Sequence, residues 1–121
     1  MYEAFIDWVD AQLTGYNIFR GAWVDAPELY QQFICAVYGM GGETPVLDVQ
    51  YPRYRVLLLG PRDDRSAVTR INVDLTTLTD NSFDGSVPCG AAFVQPYGAP
   101  TGPLYTTENR AWVSLDFRVI H

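Results

Sequence analysis

Tyr2, Phe5, Ile6, Val9 and Leu13 recur at offsets of 0, 3, 4, 7 and 11, while Glu3, Asp7 and Asp10 fall on the other side. That spacing predicts an amphipathic helix, closed by Gly15. From Tyr16 to Val24 the period is lost, and Ile18, Phe19, Trp23 and Val24 predict a short strand that Pro27 stops. Phe33 to Tyr38 is an unbroken apolar run bounded by Gly39, Gly41 and Gly42. It is too short for a helix and reads as a strand buried on both faces, followed by a turn over Gly41-Gly42-Glu43-Thr44-Pro45.

Tyr54, Val56 and Leu58 alternate with Arg53, Arg55 and Leu57, so Tyr51 to Leu59 is predicted as a strand with an apolar face and an arginine-bearing face, ended by Gly60-Pro61. Ala67, Val68, Ile71, Leu75 and Leu78 return to helical spacing and predict a second helix from Asp63 to about Leu78, with Asp63 and Asp64 as its caps. Residues 79–86 are polar and read as a loop. Cys89, Ala91 and Phe93 then alternate with Gly90, Ala92 and Val94 as a strand, and the Pro- and Gly-rich residues 96–103 read as a stiff loop.

The closing segment has the strongest strand pattern. Ala111, Val113, Leu115, Phe117 and Val119 share one face, and Trp112, Ser114, Asp116, Arg118 and Ile120 the other. Thr107 to Arg110 forms the hairpin turn leading into it from Leu104-Tyr105-Thr106. With 121 residues and 48% hydrophobic composition, one compact domain over residues 1–121 is expected. The longest apolar run is far short of the ~20 residues that cross a bilayer, and no basic stretch precedes an apolar one at the N-terminus. A soluble protein without a secretion signal is the expectation.

Charge sharpens the picture. All eight bases are arginine against fourteen acids, for a net −6. Residues 1–48 hold seven acids and only Arg20, whereas residues 49–121 hold seven of each, so the acidity belongs to the first third. Such a surface repels phosphate and argues against sequence-specific nucleic-acid binding and against an anionic membrane. Cys35 and Cys89 lack metal-type spacing and are expected to be buried thiols in a reducing compartment.

Catalytic chemistry has little to stand on. The single histidine is His121, at the end of the chain, and without lysine there is neither a Schiff base nor a phosphate-binding Walker lysine. Asp80 to Gly85 matches the first half of a calcium loop, but Ala91 stands where the bidentate Glu belongs, so a solvated turn is the better reading. Asp63 and Asp64 are explained by helix capping without a metal. Arg53 and Arg55 share a strand face that is solvated, paired with acids or in contact with a protein, in preference to an anion clamp. Trp112 faces away from the apolar stripe, where either the same chain or a partner covers it. No cofactor and no metal are expected.

Two stretches resemble a known family. Tyr51-Pro52-Arg53-Tyr54-Arg55-Val56-Leu57-Leu58-Leu59-Gly60 and Glu108-Asn109-Arg110-Ala111-Trp112-Val113-Ser114-Leu115-Asp116-Phe117-Arg118-Val119 are similar to strands of the tail terminator proteins of tailed phages, also called minor tail or tail completion proteins. The Gly41-Gly42-x-x-Pro45 segment, the helix after Gly60 and the Pro-rich approach to the last hairpin come in the same order, over about residues 21 to 121. One departure is that no Gly follows Asn109, where the family often reads acid-Asn-Gly-Arg. The resemblance implies an α+β fold with a small mixed, mostly antiparallel sheet packed against two helices.

It further implies a homohexameric ring at the head-proximal end of the virion tail, assembled in the host cytoplasm. The ring would cap the tail tube, end its polymerisation and meet the neck or head-completion protein, with no reaction catalysed. DNA would pass through the pore without sequence-specific binding, helped by an acidic surface. Arg53, Arg55, Trp112, Asp116 and Arg118 are the candidate subunit or partner interface, and Glu3, Asp7 and Asp10 the candidate acidic pore or partner face. A head-tail connector is the rival of the same class, and a small-ligand-binding α+β domain the rival of another.

Overall fold

The amphipathic period at the start of the chain forms α1, Tyr2–Asp10, which buries Phe5, Ile6, Trp8 and Val9 and exposes Glu3, Asp7 and Asp10. The structure is a computed structural model that describes residues 1–21, 26–46, 49–84 and 87–121, the side chains of 41–51 apart. Trp23, Val24, Asp25, Asp48 and Gly85 therefore lie outside the described residues. Gly15 closes the turn after α1 in the left-handed region, at φ +83°. The chain continues as β1 (Tyr16–Arg20), a 3-10 turn (Pro27–Leu29), β2 (Phe33–Val46), β3 (Val49–Arg62), α2 (Ala67–Phe83), β4 (Phe93–Tyr105) and β5 (Arg110–Ile120).

The strands form one sheet in the order β1-β2-β3-β5-β4. β1 runs parallel to β2 and the other pairs are antiparallel, giving the mixed α+β architecture expected from the resemblance. Both helices cover the same side. The stripe Ala111, Val113, Leu115, Phe117 and Val119 is at most 3% exposed, as the alternation predicted. Phe5 stacks on Tyr54 at 4.9 Å, and Trp8 meets Phe117 edge-on at 6.0 Å, so α1 sits over β3 and β5. Ile71, Leu75 and Leu78 bring α2 into the same core. Each such buried side chain contributes about 1.5–3 kcal/mol relative to exposure.

Several expected boundaries move, each for a physical reason. The Gly41 to Pro45 segment is strand rather than turn, because its glycines and proline are absorbed as register shifts between Gly39 and Gly42 and between Glu43 and Val46. β1 pairs with β2 only as far as Val37, and β5 with β3 only from Arg53, so the rest of that hairpin extends past the sheet as a two-stranded arm. β3 continues through Gly60 and Pro61 to Arg62. Gly60 is required there because a Cβ would collide with Ala67 at the start of α2.

α2 starts later and ends later than its apolar spacing implied. Asp63 takes a left-handed conformation and Asp64 accepts from the Ser66 backbone N–H at 3.1 Å, which delays the start. At the other end the helix runs on to Phe83, burying Leu75, Leu78 and Ser82 while the hydroxyls of Thr76, Thr77 and Thr79 bond back to carbonyls four residues earlier, so the polar stretch through Phe83 is helix, not loop. The solvated-turn reading of Asp80 to Phe83 is corrected with it. Residues 96–103 are part of β4, not a loop, since β4 is an edge strand and tolerates proline where its outer side pairs with nothing in the sheet. Cys89 and Ala91 precede β4 instead of belonging to it.

Cys89 is exposed, contrary to its expected burial, whereas Cys35 is fully buried. Burial pushes the Cys35 thiol up to about 12, so it carries almost no thiolate at neutral or mildly alkaline pH. A thiol reagent at pH 8 is expected to titrate one cysteine rapidly in the native protein and the second only in denaturant. Two fast thiols would contradict the burial of Cys35.

Candidate assembly surface

The side of the sheet without helices carries the sequence-predicted contact residues together. Arg55 stands opposite Asp116 in the β3-β5 register, and Arg53 opposite Arg118. Arg55 Nε donates to Asp116 Oδ1 at 2.8 Å, and Arg53 Nε lies 4.0 Å from Asp116 Oδ2. The bond to Asp116 raises the Arg55 pKa further. Tyr97 of β4 closes the cluster, with the Arg53 guanidinium 4.9 Å and that of Arg118 5.8 Å from its ring centre. Tyr97 escaped the sequence reading because it lies in the segment taken as a loop.

Trp112 is half-buried and lies further along the same side. With Tyr38, Met40, Leu57 and Leu59 it lines a cleft of about 470 Å³, whose polar rim includes Arg55, Thr101, Thr106 and Ser114. The chain itself covers part of the Trp112 side chain, and the remainder faces the cleft.

Beyond Trp112 the crossover between β1 and β2 covers the sheet. Arg110, expected in the turn, is instead fully buried on this side. Its Nη1 donates to the carbonyls of Gln32 and Gly60 at 3.0 and 2.9 Å, and its Nη2 to that of Leu29 at 2.5 Å. Arg62 stacks over Tyr30 at 3.8 Å and strengthens the same joint. The turn before Arg110 holds without a glycine because Asn109 supplies the left-handed residue, at φ 60°, while its amide donates to Asp63 at 2.9 Å.

The acidic face lies across the sheet from this cluster. Glu3 accepts from Arg20 Nε and Nη2 at 2.8–3.0 Å, which holds its carboxyl below the usual range. Asp7 and Asp10 are exposed and form no ion pair among the described residues. Among those residues no group of three or more His, Cys, Asp or Glu is placed to hold a metal ion.

A family model described as a phage tail termination protein matches residues 1–121. The chain belongs to that family. Membership gives it a structural role in a phage tail, in contact with other tail components, and makes it a component of the virion tail. No curated protein matches the chain. Solved structures do, and one that is 19% identical, over 97% of this chain and 88% of its own, superposes with a TM-score of 0.54. At that identity the likeness is one of fold. No helix among the described residues is long and apolar enough to cross a membrane.

Proposed function

We propose that this tail termination family member forms a homohexameric ring, one domain of residues 1–121 per subunit, on the head-proximal end of the tail tube. The ring stops tube polymerisation and offers the surface to which the neck or head-completion protein joins. It catalyses no reaction, assembles in the host cytoplasm and lets DNA through its pore without reading sequence. The observation that carries this reading is the family match over residues 1–121. The net −6 charge supports it, because an acidic ring repels a passing phosphate backbone where a basic ring would hold it.

Arg53, Arg55, Trp112, Asp116 and Arg118 serve in this reading as a contact surface, and Glu3, Asp7 and Asp10 as an acidic face. Electron microscopy of lysates from a phage lacking this protein tests the function. Overlong tails without heads are expected, with normal length and joining restored by supplying the protein. Normal tails beside unjoined filled heads would assign it to a connector instead, and joined tails of normal length would overturn both roles.

A further inference from the structure

We propose that the outer margin of β4 is one half of the contact between copies of this chain, a strip kept free of charge. The inference rests on the ring reading, which requires that copies meet, and assigns where they do. None of the chain's eight bases and fourteen acids lies between Asp84 and Glu108. At 18% charged residues a run of that length holds about four. The run supplies β4, in which every residue from Tyr97 to Tyr105 is exposed. Guanidinium groups stand at the two ends, Arg53 over Tyr97 and Arg65 over Tyr105, with only Gly, Ala, Pro, Thr and Leu between those tyrosines. Charge is depleted at the covered centre of protein contacts, where Tyr, Trp and Met are enriched.

The strip continues inward. Leu104, 49% exposed, stands opposite Trp112 in the β4-β5 register and Thr101 opposite Ser114, so both belong to the helix-free side. Thr101, Trp112 and Leu57 line the cleft there, so apolar area runs from the margin into the cleft. Charge points to a second copy as what covers it. Each copy carries −6, and copies repel most where the acidic first third of either takes part. A neutral strip meets an acidic neighbour without adding like charge and buries no unpaired charge of its own. Val73 and Phe83 of α2 are exposed too, but stand one helical turn from Arg70 and Asp80. A ring contact joins two different surfaces of one chain, and the strip is one of them. Pro100 and Pro103 withhold N–H groups, so side chains make the contact and no strand is added.

Leu104→Asp and Leu104→Arg test the strip, with Val73→Asp as control and circular dichroism to establish folding. Assembly is read as ring mass by sedimentation of free protein. On tube tips lacking this protein it is read as the steepness with which occupancy rises with concentration, which reports contact between copies. Each Leu104 variant is expected to need about tenfold or more protein than wild type, because a charge of either sign is stranded in a neutral contact, whereas Val73→Asp assembles like wild type. Added salt is expected to tighten wild-type assembly, since it screens the repulsion between copies and a neutral strip has no attraction to lose. Leu104 variants with wild-type mass and steepness overturn the inference, including ones that occupy tips poorly, which would give the strip to the tube. So do a Leu104→Arg variant that assembles more tightly, a Val73→Asp variant as weak as Leu104→Asp, and wild-type assembly loosened by salt. Should the Leu104 variants fail to fold, Thr101→Asp, exposed on the same side, is expected to weaken assembly likewise, and unchanged assembly by it overturns the strip. A wild type that forms no ring, free or on tails, overturns the ring reading itself and the strip's role with it.

Discussion

Arg110→Ala is expected to destabilise the protein by about 3–5 kcal/mol, a fall of roughly 10–20 °C in Tm. The side chain is fully buried, and its donors satisfy the carbonyls of Leu29, Gln32 and Gly60. Truncation strands these acceptors beneath the crossover and leaves a void where the aliphatic stem packed. Lysine keeps the charge but has one ammonium where a planar fork reaches three carbonyls, so Arg110→Lys is expected to recover only part of the loss. Thermal melts within about 3 °C of wild type for the alanine variant would show that the crossover does not depend on this clamp.

Phe117→Ala is expected to cost about 3–5 kcal/mol, with Leu115→Ala at about 2–5. Phe117 is fully buried between Phe5 and Trp8, whose ring centres both lie 6.0 Å away. Its removal takes apolar surface from the junction of α1 with the sheet, where neither a rigid strand nor a helix already locked by Phe5 and Tyr54 closes the gap. Trp112→Ala is expected to be milder than either, since Trp112 faces the open cleft. Denaturant melts ranking Trp112→Ala as the most damaging of the three would reverse the facing of β5, a shift of one residue in register.

The facing of β5 was legible because a strict period of two over many residues has no helical counterpart. The offsets in α1 were legible for the same kind of reason. Glycine and proline misled the reading at Gly41 to Pro45 and at residues 96–103, since both mark turns in general and both are accommodated as bulges in a two-stranded arm or an edge strand. The polar end of α2 hid its helical state because beyond Leu78 the inward position is filled by Ser82, so the apolar stripe stops a turn before the helix does.

For the site, the arginine-bearing side of β3 and the Trp112 side of β5 could be read from alternation. That Arg55 meets Asp116 could not, because register between strands more than fifty residues apart depends on the hairpins and helix between them. Arg110 was the larger miss. It was read as the end of the hairpin turn, and its burial depends on the aperiodic crossover, whose Leu29 and Gln32 carbonyls it meets and which no periodicity in the sequence marks.

The edges of the sheet carry a consequence of their own. β1 is five residues long, β2 beyond Val37 is interrupted by two register shifts, and β4 holds Pro96, Pro100 and Pro103 with two more. An incoming strand needs a long, even row of free N–H and C=O groups, and none of these borders supplies one. Growth by strand addition, the route by which exposed sheets run on into fibrils, is thereby disfavoured at these borders of the described sheet. Contact through the faces of the sheet, where side-chain chemistry rather than backbone pairing decides how many copies join, meets no such obstacle.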